Sequence, residues 1–236
     1  MAVTITESNH PLLKNKLSYL IQPDSITHSR DYERLIYEMG LILTCEITEQ
    51  KWHNFETEWI DAGEHPKHAD WCGGKVVKKE PVVVAVVRAG LTIAQAARDL
   101  LQTPYMAHIG VFEDVIEDEK KKTTETRAFM ITVPNDLEGR KIFIFDLFNV
   151  RGKTAEHVIY LIKSSEIDVA AENIHHLSLM MSPEAQAYIQ ASNDCDGVHF
   201  HCAHIDTPSN RWLPNLRNTY HRLFRTSDRP DFSVKS

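Results

Sequence analysis

The stretch VVVAVVRAGLTIAQAARDLL, Val82 to Leu101, decides how the chain folds. Its first six residues form a short β-branched run of the kind a strand buried on both faces needs. Arg88-Ala89-Gly90 turns the chain, and the segment from Thr92 to Leu101 carries its apolar residues at helical spacing. Strand, tight turn and helix make one βα unit, the repeating piece of a parallel sheet.

The same alternation runs on either side. A second strand is expected at Met106 to Phe112, a third at Lys141 to Asp146, then a helix from about Thr154 to Ser165, a strand at Ile174 to Met181 and a helix after Ser182. A last strand near Val198 to Ile205 precedes an irregular C-terminus. The charged segment from Glu113 to Pro134 reads as a solvated hairpin arm and ends in a turn at Asp136 to Arg140. Upstream, Leu35, Ile36, Met39, Ile42, Leu43 and Ile47 recur at helical spacing behind Ser29, a suitable N-cap. Between Trp52 and Glu80 the pattern gives way to a loop or short hairpin punctuated by Pro66, Gly73 and Gly74. The expected fold class is therefore α/β: one domain over residues 1–236, a mainly parallel sheet flanked by helices, an N-terminal helical extension and a hairpin arm. Ligands of such sheets bind at the C-terminal ends of the strands.

Charge narrows the range of partners. A formal net charge of −7 argues against a nucleic-acid or acidic-membrane binder, because both need a positive field. MAVTITESNHPLL at the N-terminus has no basic region followed by an apolar core, and no window approaches a membrane span, so the expected location is the cytoplasm. Cys45, Cys72, Cys195 and Cys202 show no Cys-x-x-Cys spacing and read as buried or incidental thiols. His199, His201, Cys202 and His204 crowd one strand, but without a second ligand pair they read as surface or hydrogen-bonded residues, so no metal ligand is assigned to protein side chains.

Chemistry points to the loops. IFIFDLFNVRGKT, Ile142 to Thr154, leaves a strand and enters a helix, where unpaired N–H groups and the helix dipole favour an anion. Gly152 allows close backbone approach and Thr154 offers a hydroxyl. The loop is not a Walker A motif, since that pattern wants a glycine where Leu147 stands. Arg88-Ala89-Gly90 is a second cation-and-glycine turn at a strand end. Two such turns on one sheet suit a ligand bearing a diphosphate.

Taken in order, the motifs HPLLKNKLSYL (His10 to Leu20), EPVVVAVVRAGL (Glu80 to Leu91), HIGVFED (His108 to Asp114), VPNDLEGRKIFIFD (Val133 to Asp146), MSPEA (Met181 to Ala185) and LPNLRNTYHRLF (Leu213 to Phe224) resemble those of uracil phosphoribosyltransferases over nearly the whole chain. The resemblance implies a type I phosphoribosyltransferase fold, a homodimer or larger homo-oligomer in contact through the arm, and transfer of phosphoribosyl from phosphoribosyl pyrophosphate to uracil or a related base in pyrimidine salvage, with magnesium. It also implies donor-binding roles for Arg88, Ala89, Gly90, Asp146, Arg151, Gly152, Lys153 and Thr154, a base pocket at Leu213, Pro214 and Asn215, and catalytic positions at Asp146 and Asn218.

The departures fall on that chemistry. Arg151 stands where the family has a small Thr in the loop, and Glu113 where it has an arginine. A reversed charge at 4 Å is worth about 4 kcal/mol in a near-surface dielectric. Asn218 and His221 replace acids, and Asn215 and Arg217 replace glycines. The new opposite charges lie on loops that should flank one pocket, so Arg151 and Glu113 are expected to pair and close it. The alternative to an active enzyme is then a family member that binds a nucleotide or a partner in a regulatory role.

Overall fold

The structure is a computed structural model that describes residues 2–21, 29–49, 57–60, 74–118, 121–164 and 169–207. Its elements are β1 (Thr4–Glu7), α1 (Pro11–Ile21), α2 (Ser29–Glu49), β2 (Thr57–Ile60), β3 (Gly74–Val77), β4 (Val82–Val87), α3 (Leu91–Leu101), β5 (Met106–Asp118), β6 (Lys121–Thr132), β7 (Ile142–Asn149), α4 (Lys153–Lys163), β8 (Ile174–Met181), α5 (Pro183–Ala191) and β9 (His199–Ile205).

Seven strands form one sheet in the order β1-β9-β8-β7-β4-β5-β6. Every neighbouring pair is parallel except β5 with β6. Strand β4 belongs in the middle for the reason its composition gives: Val82 to Val86 are all buried, so helices must cover both faces. Alternate residues feed two cores. Val83, Ala85, Phe143, Phe145 and Leu177 pack with α1, α2 and α3 on one face. Val82, Val84, Val86, Ile142 and Ile144 pack with α4 and α5 on the other. The expected α2 stripe is present, with Ile36, Met39, Leu43 and Ile47 buried and Leu35 and Ile42 packed against them.

Two segments extend beyond their expected ends. Strand β7 continues three residues past Asp146, because Phe148 and Asn149 keep pairing with Met180 and Met181. Strand β5 runs on to Asp118 and pairs with β6 along the whole hairpin, so the charged arm is an extension of the sheet itself. Strands β2 and β3 pair antiparallel within the segment from Trp52 to Glu80, where a loop or short hairpin was expected. The N-terminal strand β1 and helix α1 were not foreseen as elements: Thr4 to Glu7 add to the edge of the sheet beside β9. Among the described residues no helix is long and apolar enough to cross a membrane.

Candidate functional site

The two turns singled out in the sequence leave adjacent strands. Strand β4 lies between β5 and β7, so the Arg88–Gly90 turn emerges beside the loop that follows Asn149. Gly90 is buried and serves as the N-cap of α3; its N–H donates to Val86 O at 2.8 Å and its own carbonyl accepts from Ala94 N at 2.9 Å. Arg88 is exposed and Ala89 half-buried at the same turn.

The loop after β7 is Val150, Arg151 and Gly152, and α4 starts at Lys153. Gly152 is the α4 N-cap at φ 82°, in the left-handed region that glycine enters without a side-chain clash. No side chain caps this helix, which leaves its first N–H groups, flanked by the half-buried Lys153 and Thr154, as an anion-favouring end.

The structure brings Arg151 and Glu113 together in an ion pair, as expected from their charges. The Arg151 side chain is 50% exposed and that of Glu113 18%, so the carboxylate is the more enclosed partner.

Asp146 sits inside the sheet on β7, opposite Ser178 of β8. Burial pushes its carboxyl up to about 7, and the hydrogen bond that its Oδ1 accepts from Leu147 N at 2.7 Å offsets only part of that rise. Near neutral pH this carboxyl is poised between its two forms, and a cation or hydroxyl donor brought alongside would favour the anion.

Residues that sequence reasoning did not single out hold the loop in place. Ser182 caps α5, accepting from Ala185 N at 2.9 Å, while its hydroxyl donates to Val150 O at 2.5 Å. Its signal was legible in Ser-Pro-Glu, an N-cap followed by proline at N1. Tyr188 lies against Gly152, where an added Cβ would come 2.8 Å from the ring. The Tyr188 hydroxyl donates to Glu156 Oε2 at 2.5 Å, and Ser192 donates to Glu156 Oε1 at 2.5 Å, so α4 and α5 are tied behind the loop. Nothing in the spacing of Glu156 and Tyr188 announces that contact, because the two lie on different helices.

The remaining expected site residues, Leu213, Pro214, Asn215, Arg217, Asn218 and His221, lie outside the described residues. The histidine strand is mostly interior: His201 is buried and the His175 ring stacks on that of His199 at 5.0 Å. Cys195 and Cys202 are buried and Cys45 exposed. Among the described residues, no group of three His, Cys, Asp or Glu side chains is placed to hold a metal.

Comparison with known proteins agrees with this architecture. The chain aligns with a uracil phosphoribosyltransferase of Clostridium beijerinckii at 27% identity over 226 residues, covering 94% of this chain and 98% of that one. It aligns with a uracil phosphoribosyltransferase of Staphylococcus saprophyticus at 24% identity, covering 92% and 96%. Among solved structures, the AQ2163 protein of Aquifex aeolicus superposes with a TM-score of 0.72 at 19% identity, over 96% of this chain and 100% of that one. An adenine phosphoribosyl transferase of Trypanosoma brucei, crystallised with AMP, pyrophosphate and ribose-5-phosphate, superposes with a TM-score of 0.50 at 7% identity, over 86% and 84%. These likenesses show the fold. The family described as uracil phosphoribosyltransferase matches residues 7–226, and the chain belongs to that family.

Proposed function

We propose that the protein transfers a phosphoribosyl group from phosphoribosyl pyrophosphate to uracil or a closely related base. The observation that carries this reading is the pair of turns on adjacent strands: the uncapped α4 end with Gly152, Lys153 and Thr154 beside the Arg88–Gly90 turn, above the buried Asp146. In that reading α4 and Lys153 hold the 5-phosphate, Arg88 and the backbone around Gly90 face the diphosphate, and Asp146 accepts from the ribose hydroxyls. The bond from ribose C1′ to the diphosphate oxygen breaks and the bond from C1′ to a base nitrogen forms, while the proton on that nitrogen passes to the released pyrophosphate or to solvent, giving a nucleoside monophosphate and pyrophosphate. The site gains most by stabilising the departing diphosphate. Magnesium would arrive on that diphosphate and neutralise part of its charge, with Asp146 the buried carboxyl at the site that could face it. Leu213, Pro214 and Asn215 would line the base, with Asn218 at the catalytic position. The protein would work as a homodimer joined through the β5–β6 arm, whose Phe112, Phe129 and Ile131 side chains are exposed.

A second reading has its own support. Because Glu113 occupies the Arg151 guanidinium, the chain could serve instead as a binder of a nucleotide or a protein, with the transfer reaction lost. Pyrophosphate release separates the two. Mixed with phosphoribosyl pyrophosphate, magnesium and uracil, the protein is expected to release pyrophosphate only with uracil present, and Lys153→Ala is expected to abolish that release. No release over hours at high protein concentration would overturn the first reading in favour of the second.

A further inference from the structure

The strand order gives the Glu113–Arg151 ion pair a particular place. Strand β4 pairs with β5 as far as Val87 with Gly110, and with β7 as far as Ala85 with Phe145. Both neighbours run on past those pairs, β5 to Glu113 and beyond, β7 to Asn149 just before Arg151. Adjacent strands stand about 4.8 Å apart, so a link from β5 to the end of β7 reaches about 10 Å across the position of β4. That position is where the Arg88–Gly90 turn leaves the sheet. The ion pair therefore crosses the end of β4 at that turn.

Its chemistry is that of an occupied anion site. A guanidinium presents its donors in a planar fork that suits a carboxylate and a phosphate oxygen pair equally. Here the carboxylate comes from the protein's own β5, while half of the Arg151 side chain remains open to solvent. Arg151 is reached from solvent on its open half while Glu113 is the more enclosed partner, so an incoming group with two or more negative charges approaches from the guanidinium side and competes against a single carboxylate. Until the carboxylate moves, it also repels that group.

We infer that Glu113 is a built-in competitor for the ligand phosphate, a strap across the end of β4 that opens when a diphosphate-bearing ligand displaces the carboxylate from Arg151. The inference rests on the reading of the β7–α4 loop as phosphate-binding. It turns an apparent loss of the site into a threshold: singly charged anions leave the strap shut, and a diphosphate, which keeps about two negative charges with magnesium bound, opens it.

The test is calorimetric titration of inorganic pyrophosphate with magnesium into the wild-type protein, Glu113→Gln and the double variant Glu113→Gln/Arg151→Gln. Alongside it, the thermal midpoints of these proteins and of Arg151→Gln are measured without ligand. Glu113→Gln keeps the shape and removes the competing charge, so it is expected to bind pyrophosphate about tenfold tighter than wild type. The double variant is expected to lose most of that gain, and the midpoint shifts of the two single substitutions are expected not to add. Additive shifts would mean that the pair does not form in solution, and would overturn the strap. Wild type and Glu113→Gln binding pyrophosphate within twofold of each other would overturn it as well, while leaving the phosphate-loop reading intact. No pyrophosphate binding by any of the proteins, with non-additive shifts retained, would instead overturn the reading of the two turns as a diphosphate-accepting site and with it the competitor role of Glu113.

Discussion

Gly90 presses its backbone against Phe145 of β7 so closely that a Cβ added to it would lie 2.0 Å from the Phe145 carbonyl oxygen. The contact is backbone against backbone, so neither side has a flexible atom to give way. Gly90→Ala is expected to push α3 off β7 and to cost about 3 kcal/mol or more of folding stability. Urea unfolding of the variant checks this, and a midpoint equal to wild type would show that the turn relaxes freely.

Asp146 gives the fold a pH dependence of known sign. Its carboxyl, pushed up to about 7 by burial, keeps in the folded protein a proton that the unfolded chain releases near 3.8. The stabilising contribution is thus fully present below about 3.8 and is lost as the pH rises to about 7, a change on the order of 4 kcal/mol. Asp146→Asn keeps the acceptor for Leu147 N–H and removes the titration, so its advantage over wild type should grow between about pH 4.5 and about pH 7.5. Parallel stability profiles for the two proteins would contradict the assignment.

His176 acts in the opposite direction. The ring is fully buried on β8 with its centroid 5.1 Å from that of Phe200, and burial depresses its pKa to about 4 from 6.5. Its contribution is present above about 6.5 and is lost as the pH falls toward about 4, on the order of 3 kcal/mol, because the unfolded chain takes up the proton first. His176→Phe should remove that acid loss and leave the slope from Asp146 exposed in chemical unfolding across the same range. An unchanged acid limb would exclude His176 as its source.

Arg140 anchors the turn that feeds β7. It donates to Asp136 Oδ2 at 2.6 Å and to Glu80 O at 2.8 Å, and its guanidinium lies 3.8 Å from the Tyr105 ring centroid. Only 8% of its side chain is exposed. Arg140→Gln cannot satisfy the same set of acceptors or the ring, and should lower stability by about 2–4 kcal/mol. The measurement is a thermal or urea midpoint, where a loss below 0.5 kcal/mol, the size of an ordinary surface substitution, would refute the anchoring role.

The sequence was most informative where periodicity and composition acted together. Val82 to Val87 announced a central buried strand, and the helical stripe of α2 could be read residue by residue. Arg151 and Glu113 could be paired in advance because the resemblance to uracil phosphoribosyltransferases set both departures, of opposite charge, beside one pocket. Other features depended on distances that one-dimensional patterns do not carry. The last residues of β7 read as loop because Asn149 and Phe148 owe their strand form to Met181 and Met180 across the ladder. Tyr188 stays silent in the sequence, since its value lies in meeting Gly152 and Glu156 from another helix.

The pairing of β1 with β9 has a consequence for how the chain assembles. Thr4 to Glu7 run beside His199 to Cys202, and Lys14 reinforces the junction through Glu7 and Ala203 O. During synthesis the first of these segments emerges long before the second and has no partner until then. Closure over so long a span is slow, because its entropy is lost before the contacts are gained. Meanwhile β9 remains an uncovered edge open to pairing with other chains. Strand β9 is thus covered last, by residues made early, and a chain halted before β9 would carry an amino-terminal strand with nowhere to go.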